Sequence, residues 1–414
     1  MVPPKLTDHV RGAEEDLVAR LRELLAVDTQ NPPGETARLA DDVEDYFESL
    51  GVSTARFVSD PAKPNVVATL PGESERTLLF DGHLDTVPYD ADAWDYDPLG
   101  ERAGDRIYGR GATDMKGPLA AMLQAAAAYV ETGTTPPVTL QYALVSDEET
   151  AGEAGLPTLL DADRVDPTWC VIGETTCEGG RHSVTVADRG SVWLTLVAEG
   201  QAAHGSRPVL GVNAIDRLYD AVERIRAEFG TEQFDLPPAV ADVVEESVAY
   251  YEPTLGAEAA RALFTTPTIN LGTIEGGERV NSVPASARAR LDIRLTAGVR
   301  TRDVLEDLRA CADDCEGVHL ADVRWSVGTY EPPDSPLVSA VVAAATDVTG
   351  DRIYRRSATG GGDAKRFRNA GVPTVEFGLG TDTAHAADEH TTVEALRNNL
   401  AVYAALPYHL AEVG

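Results

Sequence analysis

Near the start of the chain apolar residues fall at helical spacing in two blocks. Leu17, Leu21, Leu24 and Leu25 form the first, Leu39, Val43, Tyr46 and Phe47 the second, and Asn31-Pro32-Pro33-Gly34 separates them. Two amphipathic helices are predicted there. Short β-rich runs follow at 66–70, 77–80, 138–145 and 169–172, none with strict alternation. Such runs fit strands covered on both faces, and a helical segment at 118–131 supplies the crossover that an α/β sheet requires.

The pattern changes near Asp188. Residues 191–198 alternate polar and apolar like a strand with one wet face. A helix at 213–229, strands at 268–274 and 287–295, a helix at 301–311 and a strand at 318–327 complete a β-α-β-β-α-β order, which predicts a small sheet with two helices on one face. Residues 234–264 read as an insertion, helical in parts. Beyond Pro332 the first pattern returns, with a helix to 348 that Ser335 caps and Pro336 opens, a strand at 373–377 and a helix from 393. The prediction is a doubly wound α/β domain, 1–188 and 331–414, interrupted by a smaller α+β domain at 189–330.

The 414 residues, 43% hydrophobic, suit two cores better than one. A formal charge of −33 excludes nucleic acid and anionic membranes as partners, because both need clustered Lys and Arg. Only four of the 35 basic residues are lysines (Lys5, Lys63, Lys116, Lys365), and acid excess with few lysines fits a protein kept soluble in a high-salt cytoplasm. Residues 1–16 are charged, unlike a secretory signal, and the weakly polar run 117–130 falls short of the ~20 apolar residues of a membrane span. A cytoplasmic protein is expected. Cys170, Cys177, Cys311 and Cys315 form no CxxC pair and read as reduced, structural thiols.

In an open α/β sheet, functional groups collect where strands end. The run 77–80 leads into Asp81-Gly82-His83-Leu84-Asp85, the run 138–145 into Ser146-Asp147-Glu148-Glu149, the run 169–172 into Gly173-Glu174, and 373–377 through a Gly-rich loop to His385. Asp114 stands just ahead of the 118–131 helix. Carboxylates converging without a cation would repel and drag their pKa values upward, so this cluster, with its two imidazoles, implies bound metal. Two divalent ions sharing a carboxylate would neutralise it.

His83-x-Asp85, Gly109-Arg110-Gly111-x-x-Asp114-x-Lys116-Gly117, Glu148-Glu149, Gly173-Glu174 and Ala384-His385-x-x-Asp388-Glu389 stand in one order and spacing over almost the whole chain. In these motifs the chain resembles the M20 metallopeptidase and aminoacylase family, which includes acetylornithine deacetylase, succinyl-diaminopimelate desuccinylase and glutamate carboxypeptidase. The resemblance implies two Zn2+ or Co2+ ions, one held by His83 and Glu174 and the other by Glu149 and His385, with Asp114 bridging both. It implies that Asp85 orients the His83 imidazole. Glu148, free of metal, becomes the general base for hydroxide attack on an amide carbonyl.

The same resemblance places substrate contacts at Arg189, His204, Asn281, Arg294 and the loop of Gly361 and Gly362. It also implies a homodimer formed through the inserted domain, with His204 lent across the interface. The chain departs from the desuccinylase pattern in two places. Asp188-Arg189-Gly190 stands where those enzymes carry Arg-Arg-Gly, and their Thr-bearing glycine loop is all glycine here. The expected activity is therefore hydrolysis of an N-acyl amino acid, of the acetylornithine deacetylase or succinyl-diaminopimelate desuccinylase type, with a dipeptidase or glutamate-type carboxypeptidase as the alternative. A metal-free binding protein would require apolar residues at metal positions, and a scaffold acting through its charge would require an exposed acidic tail; neither feature is present. His9, His182, His319, His390 and His409 are expected outside the site.

Overall fold

Side chains on both faces of the strand Thr77–His83 are buried, which sets this strand inside a sheet. The computed structural model describes residues 1–161 and 165–413. In it the strand belongs to an eight-stranded sheet with the spatial order Ser53–Phe57, Asn65–Leu70, Thr139–Val145, Thr77–His83, Trp169–Ile172, Thr374–Glu376, His182–Ala187, Ile353–Ser357. Thr77–His83 runs parallel to both neighbours, with His83 opposite Val145 and Asp81 opposite Ile172. Three consecutive strands therefore discharge their loops at one edge. Asn65–Leu70 is antiparallel to Thr139–Val145, so the sheet is mixed; continuous apolar runs report burial on two faces, not strand direction.

Helices cover both faces. On one, Phe47 and Tyr403 bring their rings to 5.4 Å from Tyr142 and 5.3 Å from Phe80. On the other, Leu79, Ala143, Cys170 and Ile172 pack with Leu156, Leu159, Ala364 and Phe367. The helix Lys116–Glu131 is buried almost all round, and its alanines permit close approach to neighbouring helices. Ser335 Oγ accepts the Val338 amide at 3.3 Å, the expected cap of the helix Pro336–Thr349.

Two units are distinguishable: Met1–Val186 with Glu331–Arg356 and Gly362–Gly414, and Ala187–Tyr330 with Ser357–Gly361. The second holds an antiparallel sheet ordered Thr268–Gly276, Ser286–Leu295, Gly190–Glu199, Val318–Ser326. Val192, Leu194 and Leu196 face the helices Ala214–Phe229 and Thr301–Asp313 through Leu218, Val222, Ile225, Leu305 and Leu308. Alternation along Ser286–Leu295 leaves its other face exposed. Residues 234–264 contribute two further helices, Pro238–Leu255 and Ala257–Thr265. In that unit Ser247 Oγ accepts the Ser357 amide at 2.8 Å and Ala187 O accepts the Ala358 amide at 2.7 Å, so Ser357–Gly361 groups there and not with the chain on either side of it. Among the described residues no helix is long and apolar enough to cross a membrane.

Candidate metal centre and active site

His83 closes its strand with its ring buried, and the carbonyl of Asp85 lies 2.9 Å from Nδ1. A carbonyl only accepts, so Nδ1 carries the proton and the lone pair of the neutral ring sits on Nε2. That Nε2 faces Asp114 Oδ1 at 3.2 Å and Glu174 Oε1 at 3.3 Å. Asp114 turns its other oxygen, Oδ2, to His385 Nε2 at 3.0 Å, and Glu149 Oε2 lies 3.5 Å from the same nitrogen. Two sets of donors result, His83 with Asp114 and Glu174, and Asp114 with Glu149 and His385, the atoms of each set lying within 4.8 Å of one another. Asp114 belongs to both.

This donor set fits divalent cations. Lone pairs of a neutral imidazole and two carboxylates aimed at one point repel unless positive charge lies between them. The protonation energetics carry the same message. Burial opposes a charge on His83, yet hydrogen bonds that a protonated ring donates to Asp114 and Glu174 raise its pKa well above the ordinary value. Asp114 and Glu149 push His385 up to about 10. Burial favours the neutral acid at Asp114, but the two histidines hold its carboxyl well below the usual range. Without metal the cluster recruits protons to supply positive charge, and nitrogen with oxygen donors suits zinc-like ions.

The candidate donors are held by their own loops. Glu149 Oε1 accepts the Val87 amide at 3.1 Å, which leaves Oε2 for His385. Glu389, fully buried, accepts the amides of Gly111, Thr113 and Asp114 at 3.0, 2.9 and 3.0 Å and thereby fixes the loop that presents Asp114. Asp147 and His385 both have φ of +63°, a conformation costly for residues with a Cβ and persistent only where surroundings impose it.

Asp85 departs from its expected role. Its carboxylate lies 3.8 Å from His83 Nδ1, and its backbone carbonyl orients the ring instead. The two carboxylate oxygens accept the amides of Glu148 and Glu149, each at 3.2 Å. Glu148 belongs to neither donor set. Burial, reinforced by the charges of Asp363, Glu149 and Asp114, pushes its carboxyl up to about 8 in the metal-free protein. Gly362 comes so close that a Cβ there would stand 3.1 Å from Glu148 Oε1.

The remaining sequence candidates lie in the second unit. His204, exposed, pairs across a two-residue strand with Ser282, next to Asn281, and accepts the Ser206 amide on Nδ1 at 3.2 Å. Gly205 donates to Asn281 O at 2.7 Å, an approach that a Cβ at 2.8 Å from the Asn281 backbone would block. Arg294 is engaged by Asp292 through two bonds, of 2.7 and 3.0 Å. Arg189 is 2% exposed and donates to the Arg294 carbonyl at 2.8 Å, bracing the strand from which Arg294 projects. Gly361 is exposed. Of the histidines expected outside the site, His9 meets Glu131, His182 meets Asp351 and His409 meets Asp347, at 3.4, 3.5 and 3.8 Å, and His182 also lies 3.2 Å from Cys177 Sγ.

Sequence reasoning passed over Asn31, Lys63 and Arg110 and gave Glu389 no task. Arg110 and Glu389 lie within the motifs that carry the family resemblance, but nothing local says that they pair.

Among proteins similar to this chain, a succinyl-diaminopimelate desuccinylase of Sphingopyxis alaskensis is 31% identical over 399 residues, 94% of this chain and 96% of that protein. The M20 family metallo-carboxypeptidase Sso-CP2 of Sulfolobus solfataricus shares the fold with a TM-score of 0.77 at 22% identity, over 95% of this chain and 99% of that one. So does the YXEP protein of Bacillus subtilis, a dinuclear metal binding peptidase from the M20 family, with a TM-score of 0.68 at 13% identity over 98% and 100%. The sequence model of Peptidase family M20/M25/M40 matches residues 79–409, the stretch that supplies every metal-type donor described above. The chain belongs to this family and is a metal-dependent amidohydrolase.

Proposed function

We propose that this enzyme cleaves the amide of an N-acyl amino acid, with N-succinyl-diaminopimelate as the first substrate to test. The observation that carries the chemistry is Asp114, one carboxylate shared by two three-donor sets, with Glu148 beside them and in neither. His83 and Glu174 would hold one ion and Glu149 and His385 the other, zinc or cobalt by donor type. Ions in these places supply Lewis acidity, lowering the pKa of water and polarising the amide carbonyl. Glu148 takes the proton of the attacking water and hands it to the leaving amine.

The succinyl assignment leans on the desuccinylase name of the similar protein. One observation favours N-acetylornithine or a dipeptide instead: Asp188, which stands where an arginine would read a distal carboxylate, has its own carboxylate engaged by the Thr329 amide at 3.2 Å and the Thr329 hydroxyl at 2.5 Å. Residues 189–330 would pair two copies in the cytoplasm and carry His204 and Asn281 to the substrate. The strand Thr268–Gly276, a sheet edge with Ile274 48% exposed, supports that reading.

Steady-state assays of N-succinyl-diaminopimelate, N-acetylornithine and a dipeptide panel rank the substrates, and sedimentation measures the assembly. Glu148→Gln tests the base. It should abolish turnover at about two metals per chain, and substantial residual turnover overturns the assignment.

A further inference from the structure

Glu148 and Glu149 sit on the turn after Thr139–Val145, and a turn by itself fixes its residues poorly. Here one carboxylate holds both: Asp85 Oδ1 accepts the Glu148 amide and Oδ2 the Glu149 amide, each at 3.2 Å. Asp85 is in turn held by Asn31, whose Nδ2 donates to Asp85 Oδ2 at 2.8 Å and to Asp147 Oδ1 at 3.0 Å. Asp147 directly precedes Glu148 and also meets the Lys63 ammonium and the Thr150 hydroxyl. Asp85, Asn31 and Asp147 are all buried.

Asn31 cannot drift. Its amide donates to Thr86 O at 2.7 Å, Gln30 bridges Thr86 in parallel, and Thr29 Oγ1 donates to Leu84 O at 2.8 Å. Residues 29–31 therefore run beside 84–86 and deliver the carboxamide between two buried carboxylates. Those carboxylates repel, and an NH2 group with two hydrogens can satisfy both at once. Lys63, a flexible point charge, meets Asp147.

We propose that Asn31 is a positioning residue for catalysis: by bridging Asp85 to Asp147 it fixes the backbone of Glu148 and Glu149 and so the place of the base. The inference rests on the assignment of Glu148. Asn31 touches no reacting atom and no metal donor. Its loss releases the turn without emptying either donor set.

The test is kcat, KM and metal content of purified Asn31→Ala, with Glu148→Gln measured alongside. Displacing a base by about an ångström costs on the order of a hundredfold, so kcat should fall ten- to hundredfold. KM should stay within about threefold and metal near two per chain. A kcat within twofold of wild type, a loss confined to KM, or a loss proportional to missing metal overturns the proposal. Should Asn31→Ala not fold, the near-isosteric Asn31→Asp decides by the same criteria, since it replaces two donors by a third carboxylate. If Glu148→Gln keeps its activity, the base assignment fails whatever Asn31 does. If Glu148→Gln is inactive while Asn31→Ala keeps its kcat, the positioning role alone fails.

Discussion

Arg110 Nη1 lies 2.6 Å from Glu389 Oε2, and both side chains are buried. Because Glu389 also receives three amides of the Gly111–Asp114 loop, this pair fixes the carboxylate shared by both donor sets. Removing one partner of a buried pair strands the other charge, typically at a cost of about 3–5 kcal/mol. Arg110→Met should therefore lower the unfolding free energy by that order and weaken metal binding, read by urea titration and by metal retained after dialysis. Wild-type stability with full metal retention would show that the loop is held by other means.

Gly362→Ala changes a position whose backbone any residue adopts, so the fold should tolerate it. The added methyl would lie 3.1 Å from Glu148 Oε1 and displace that carboxylate by a few tenths of an ångström. If Glu148 is the base, as proposed, a kcat reduced about tenfold at unchanged melting temperature is expected, since small misplacements of a base are costly. An unchanged kcat would mean that Glu148 accommodates the methyl without leaving its working position.

Cys177 Sγ lies 3.2 Å from His182 Nδ1, and His182 Nε2 lies 3.5 Å from Asp351, an arrangement suggestive of an activated thiol. Burial argues otherwise, pushing the Cys177 thiol up to about 11. Burial and Glu228 take Cys311 up to about 12. Only the thiolate is nucleophilic, so at pH 8 both should react with iodoacetamide at least roughly a hundredfold more slowly than a free thiol. Their rates should still climb near pH 10, where an ordinary thiol has levelled off. Labelling followed by peptide mapping checks this, and fast reaction of Cys177 at pH 8 refutes it.

Much of the metal centre was legible because its groups stand at strand ends. His83, Glu149 and Glu174 each stand in the short segment that follows an apolar run, and parallel neighbours bring such ends to one edge. The residues that hold them were not legible. Asn31 meets Asp147 across 116 positions and Arg110 meets Glu389 across 279, and no local pattern encodes such distances. Asp85 shows a subtler limit. Its spacing from His83 correctly says that the two interact, but not whether the carbonyl or the carboxylate makes the contact. Arg189 is a substrate contact by family resemblance, and in the fold packing encloses it.

Lys116 opens its helix fully buried, with Nζ donating to Val27 O at 2.9 Å. Burial lowers its pKa from 10.5 to about 8, against the opposing pull of Asp28, Glu389 and Asp85. Between those values the unfolded chain holds a proton that the folded chain has released. Stability contributed by this group therefore rises with pH from 8 to 10.5, by up to about 3 kcal/mol over the whole window. Below pH 8 the folded state carries the full cost of a buried ammonium. Lys116→Met lacks both the cost and the rise, so urea titrations at pH 7, 8.5 and 10 should show wild type gaining on the variant as pH increases. A constant difference between the two proteins across that range would mean that Lys116 remains charged in the fold throughout.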